Sequence, residues 1–88
     1  METIKLYYFS VFAKTESVRK TAEIVNVSPS AISKALRQME EELGVALIAP
    51  FGRGVVLTEE GRKFALEASA IVERISHLKD FIKKEKKV

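Results

Sequence analysis

The tetrapeptide Asn26-Val27-Ser28-Pro29 constrains this chain most, because it ends one helix and starts another within a single tight turn. Ser28 offers the short hydroxyl that accepts a backbone N–H at a helix cap, and Pro29 suits the first helical position, where its missing N–H costs nothing. The helix that begins at Pro29 carries Ile32, Leu36, Met39 and Leu43 at spacings of four, three and four. That stripe is predicted to face inward, and Gly44 supplies the left-handed stop. Ahead of the turn, Ser17 is placed to cap a helix of about two turns, on which Val18, Ala22 and Val25 share one side.

Other elements are placed around this pair. From Thr3 to about Lys14, Leu6, Phe9, Phe12 and Ala13 form one apolar stripe and Ile4, Tyr8 and Val11 a second, so this helix must touch two things. Val45 to Ile48 and Val55 to Leu57 read as short strands of a hairpin around Ala49-Pro50-Phe51-Gly52-Arg53-Gly54. Two such strands are marginal alone and must lean on the helices. Thr58 can cap a last helix whose first turn holds Glu59 and Glu60, predicted to run to Lys83 or beyond, roughly 40 Å at about 1.5 Å per residue. Along it Phe64, Ala68, Ile71, Ile75, Leu78 and Ile82 make an unbroken heptad seam, widened by Val72 and Phe81. Part of that face is free to pack on its own domain while the rest meets a second chain. The lysines from Lys79 to Lys87 read as a solvated, frayed end.

Composition narrows the classes. A chain of 88 residues makes one small domain, and with no cysteine and only His77, neither a disulfide framework nor a Cys- or His-based zinc site can reinforce it. Stability has to come from packing, shared in part with a second subunit. The 47% apolar and 31% charged residues are those of a soluble globular domain. The apolar run from Leu6 to Ala13 is broken by Ser10, is too short to span a membrane and follows no basic leader, so the expected location is cytoplasmic. Net charge is +3, which suits a polyanionic partner but is weak on its own. His77 has no acid–base or nucleophile constellation beside it, and glycines 44, 52, 54 and 61 lack the spacing of a phosphate-binding or dinucleotide loop. No catalytic residue, metal or cofactor is expected.

Three helices, the second and third joined by a tight turn, followed by a hairpin, give the order of a winged helix-turn-helix. The expected fold class is mainly α: three helices and a two-stranded β wing in residues 1–57, then a long dimerisation linker helix with a lysine-rich tail in residues 58–88. On the third helix, residues 29–43, Ser30, Ser33, Lys34 and Arg37 lie together opposite the apolar stripe. Small hydroxyl side chains let a helix sink into a major groove, and Lys34 and Arg37 are long enough to reach bases or phosphates. Glu40, Glu41 and Glu42 sit at the far end, out of such a groove. Ser17 and Ser28 serve either as plain caps or as caps whose helix N-termini also hold phosphate. Arg19 and Lys20 fit backbone clamps and ordinary surface charges equally. Arg53, between two glycines, fits a narrow minor groove as well as an exposed turn. Tyr7, Tyr8, Phe9 and Phe12 are read as core and dimer contacts rather than base stackers.

These residues resemble the LysR-type transcription regulators, from about Leu6 to Gly61. The resemblance is carried by Leu6, Phe9 and Ala13; by Ser17-Val18 and Ala22; by Val27-Ser28-Pro29-Ser30-Ala31-Ile32-Ser33; by Met39-Glu40, Leu43-Gly44-Val45 and Leu47; and by Gly52-Arg53-Gly54 with Leu57-Thr58-Glu59 and Gly61. It implies a homodimer, or a larger oligomer, with linker helices packed together through Phe64, Ala68, Ile71, Val72, Ile75, Leu78 and Ile82. Two recognition helices would then enter successive major grooves of an imperfect palindrome in double-stranded DNA. It also implies Ser28, Pro29, Ser30, Ser33 and Lys34 at the major groove and Arg53 at the minor groove. Two departures bear on sequence preference and affinity. Pro29-Ser30 stands where Gln-Pro is common, and Leu47-Ile48-Ala49-Pro50 lacks the arginine that usually ends the first wing strand. A full-length member continues into a two-lobed domain for a small-molecule effector, which nothing in these residues can form.

The competing reading is a protein-interaction module that uses the same helices and seam without nucleic acid. Salt separates the two, since counterion release weakens DNA binding steeply while an apolar seam holds. An enzyme ranks well below both.

Overall fold

The helix boundaries around the turn and the wing in the computed structural model, which describes residues 1–86, trace to identifiable side-chain and backbone bonds. The order is α1 (Thr3–Thr15), α2 (Val18–Val25), α3 (Pro29–Leu43), β1 (Ile48–Phe51), β2 (Gly54–Leu57) and α4 (Glu59–Lys86). Ser17 Oγ accepts the Lys20 N–H at 3.1 Å to cap α2, and Ser28 Oγ accepts the Ala31 N–H at 3.1 Å to cap α3 behind Pro29. Between them Asn26 adopts the left-handed conformation at φ 60°, and its N–H donates to the Ala22 carbonyl, closing α2. Thr58 starts α4: its hydroxyl accepts the Gly61 N–H at 2.9 Å and donates to the Ala46 carbonyl at 2.7 Å.

The core is built where these elements converge. Phe9, Phe12, Ile32, Leu36 and Met39 are fully buried, joined by Ala22 from α2, Leu47 and Leu57 from the base of the hairpin, and Ala65 and Ala68 from α4. As its two stripes require, α1 packs on α2 and α3 on one side and along α4 on the other. Phe9 meets Phe64 edge to face, ring centroids 5.2 Å apart, a favoured aromatic geometry. The result is a mainly helical winged helix-turn-helix with a long final helix that stretches the molecule to 53 Å.

Three expectations change. Leu43 does not face the core but is 39% exposed, because the last turn of α3 runs past Met39, beyond the packed helices. The first strand lies at Ile48–Phe51 rather than Val45–Ile48. The Leu47 and Ile48 N–H groups donate to the Glu40 carboxylate, at 2.8 and 3.2 Å, so the chain before Ile48 is held by α3 and the ladder starts at Ile48. It pairs Ile48 with Leu57 and Phe51 with Gly54, and a two-residue turn, Gly52-Arg53, replaces the longer loop. Gly52, at φ 57°, is the turn's left-handed residue, the pattern of a type II′ hairpin. In such a hairpin the pair next to the turn is hydrogen-bonded and the next is not, so Pro50, opposite Val55, forfeits no ladder bond. Lastly, the tail is helical through Lys86 rather than frayed; Lys87 lies outside the described residues.

Candidate nucleic-acid interface

The N-terminal half of α3 presents the polar side expected of it. Ser28, Pro29, Ser30, Ser33, Lys34 and Arg37 are all exposed, while Ile32, Ala35, Leu36 and Met39 hold the opposite side in the core. Ser28 and Ser30 hydroxyls lie 3.2 Å apart, so the cap and the first-turn hydroxyl form one polar edge at the helix end, where unpaired N–H groups also collect. Between Glu23 and Glu40 the chain has no acid. Among the described residues, ion pairs join the Met1 amino group to Glu42 at 3.0 Å, Lys5 to Glu2 at 3.2 Å and Lys63 to Glu59 at 3.7 Å. None involves Arg19, Lys20, Lys34, Arg37 or Arg53, so all five cations stand without an acidic partner. Arg19 and Lys20 are exposed near the capped start of α2, Ser17 itself being half-buried.

The wing places Arg53 at the turn, exposed, on a hairpin held at its base from both sides. Glu40 bonds the start of β1, and Glu16 Oε2 accepts the Leu57 N–H at 3.2 Å at the end of β2. From Val45 to Thr58 the chain carries no acid and one cation, Arg53.

On α4 the seam divides. Ala68 is buried in the domain core and Phe64 half-buried against Phe9, so both are already covered within the chain. Val72 and Ile75 are half-buried and line a groove with Thr3, Ile4 and Tyr7 of α1. Ile71, Leu78 and Ile82 are 46%, 61% and 55% exposed, with Phe81 beside them at 56%. Burying such side chains stabilises by about 1.5–3 kcal/mol each, and nothing within the described chain covers them.

The geometry can be set beside known proteins. The profile of the bacterial regulatory helix-turn-helix protein, lysR family, matches residues 4–62, more than half of the chain. The chain belongs to the LysR family. This LysR-family domain is 42% identical over 67 residues to the HTH-type transcriptional regulator DsdC of Escherichia coli K12, covering 74% of the chain and 22% of DsdC. It is 32% identical over 87 residues to the regulator PcaQ of Agrobacterium fabrum, covering 96% of the chain and 28% of PcaQ. It thus spans about a quarter of the length of these relatives. Among solved structures, the BenM DBD in complex with catB site 1 DNA superposes with a TM-score of 0.89 at 27% identity, covering 96% of this chain and 93% of that one.

Sequence reasoning missed the side chains that hold the LysR-family domain's reading elements in place. Nothing in the local pattern singles out Glu16, and Glu40 reads only as one of three acids at the far end of α3, yet both carboxylates accept wing N–H groups. Glu16 also takes the left-handed conformation at φ 48° to end α1. Thr15 and Thr21 hydroxyls meet at 2.8 Å, with Thr21 fully buried, and Thr15 Oγ1 further donates to the Ser17 carbonyl and accepts the Ser17 N–H. This knot fixes α2 to the end of α1. No local pattern marks such partners, which lie up to 41 positions apart in the chain.

Proposed function

We propose that this domain binds double-stranded DNA in a sequence-specific way as a homodimer and regulates transcription. In this reading α3 enters the major groove, with Ser28, Pro29, Ser30 and Ser33 closest to it and Lys34 and Arg37 reaching bases or phosphates. Ser17 and Arg19 hold the backbone at the start of α2, and Arg53 enters the minor groove from the wing. Residues 1–57 act as the reading head and 58–88 as the linker. Ile71, Val72, Ile75, Leu78 and Ile82 meet the second copy, with Phe64 and Ala68 supporting the seam from within the core. The binding site is an imperfect palindrome, the working compartment the cytoplasm, and effector sensing, by analogy with the family, resides in a domain outside these residues.

The observation that carries the reading is the acid-free N-terminal half of α3 with its surroundings, whose exposed cations have no acidic partner among the described residues. A surface that merely needed solvation would gain from mixed charge, whereas unneutralised cations beside small hydroxyls match a phosphate-lined groove. The DNA complex of the BenM DBD gives the same fold in that role. Selection of bound sequences from random duplex DNA, with wild type and Lys34→Ala at one moderate salt concentration, tests it. An interrupted palindrome that relaxes in the variant is expected. Absence of any enriched sequence from a folded dimer would refute it and favour the protein-interaction reading.

A further inference from the structure

Phe51 is the most exposed aromatic ring among the described residues, at 71%, and it sits at the end of β1 immediately before the turn that carries Arg53. Ladder alternation explains the exposure. Ile48, Val55 and Leu57 face the core, so Ala49, Val56 and Phe51 lie on the other face of the hairpin. Opposite Phe51 stands Gly54, which has no side chain and no neighbour within 4 Å of where one would begin. The ring therefore has no side chain directly opposite it, although aromatic residues usually pair across a hairpin.

The backbone that carries the ring is nevertheless well defined. Pro50 restricts the backbone just before it, the two-residue turn closes just after it, and Glu16 and Glu40 fasten the hairpin base to the end of α1 and to α3 itself. An exposed apolar ring on a fastened strand, two residues from an unpaired arginine on a hairpin with no acid, makes a tip that combines a cation with a wedge. Such tips suit the minor groove: arginine answers its negative potential, and apolar side chains insert between base steps and unstack them.

We propose that Phe51 is a second wing determinant, which wedges against a base step in the minor groove beside each half-site and bends the duplex. This rests on the DNA-binding reading above. The wedge makes sequence preference extend to a position read by deformability, since pyrimidine–purine steps unstack most readily.

The same random-duplex selection, with wild type, Phe51→Ala and Phe51→Leu, tests the wedge, together with the end-to-end bend of the selected duplex measured by fluorescence energy transfer. Wild type is expected to enrich a pyrimidine–purine step beside each half-site and to bend the duplex by at least about 20°. Phe51→Ala should lose that step preference and most of the bend while keeping the half-site letters read by α3; Phe51→Leu, still apolar and bulky, should retain both in part. Circular dichroism should show all three equally folded, because an exposed ring contributes little to the core. If the selected palindrome, flanking step and bend are unchanged in Phe51→Ala, the wedge is refuted while the DNA-binding reading stands. If Phe51→Ala instead shifts only the mass of the free protein in solution, the outer hairpin face serves a protein contact and the wedge is again refuted. If the wild type selects nothing, both readings fall together.

Discussion

Gly61 stands in the first turn of α4, pressed against the backbone at the base of the wing, and a Cβ added there would drive into the Leu47 carbonyl. The obstacle is backbone rather than a flexible side-chain end, so α4 and the wing would have to separate. Alanine gains about 1 kcal/mol of helix propensity over glycine, but overpacking against a fixed group costs more. Gly61→Ala is expected to lose about 2–3 kcal/mol in chemical denaturation, or roughly 10–20 °C in Tm. A second residue-scale effect belongs to Glu40, whose carboxylate accepts two N–H groups at the start of the wing. Glu40→Ala should cost about 2 kcal/mol in urea unfolding, because hydrogen bonds to a charged acceptor are lost and the Leu47 N–H is left buried. Glu40→Gln keeps an acceptor oxygen in reach and should lose no more than about 1 kcal/mol. Both residues were visible in the sequence only as a glycine and an acid, since neither a close backbone approach nor a long-range acceptor leaves a local pattern.

Among the elements, α3 was legible in full except for its last turn. Cap, proline, apolar stripe and terminal glycine are all local signals, and they gave correct ends; Leu43 failed because burial depends on where neighbouring helices stop. The wing was the least legible element, its first strand displaced by three residues at its start. Strand limits there depend on which N–H groups Glu40 has already taken. On α4 the heptad spacing described one continuous seam, whereas the fold covers its first part with α1 and leaves the rest open. The open part makes its own prediction. Ile71→Asp combined with Ile75→Asp should give a monomer by analytical ultracentrifugation, with helical circular dichroism retained, since neither residue belongs to the buried core. The monomer should bind a palindromic duplex at least about tenfold more weakly, as the two half-sites are no longer engaged together.

For the whole molecule, the charge layout predicts how binding responds to salt. Cations without acidic partners line α2, α3 and the wing, while the acids of α3 gather at its far end and are partly taken up by the wing and the Met1 amino group. The logarithm of the binding constant should therefore fall steeply with the logarithm of salt concentration, by about 0.9 for each phosphate neutralised. Arg37→Ala should shrink that slope by roughly 2 for a dimer, one contact from each copy, in a salt titration followed by fluorescence anisotropy. An unchanged slope would place Arg37 off the phosphates.

What the amino-acid sequence determined by itself was everything carried by short-range chemistry: the capped helix ends, the tight turn before Pro29, the two faces of α1, and the polar, acid-free N-terminal half of the outer side of α3. These follow from hydrogen bonds and periodicities that close within a few residues. Tertiary structure alone decided which part of the α4 seam stays exposed, where the wing begins, that Glu16 and Glu40 hold it, and that Phe51 projects into solvent opposite a glycine. Each of these depends on groups far apart in the chain arriving at one place, and only the packed core sets those distances.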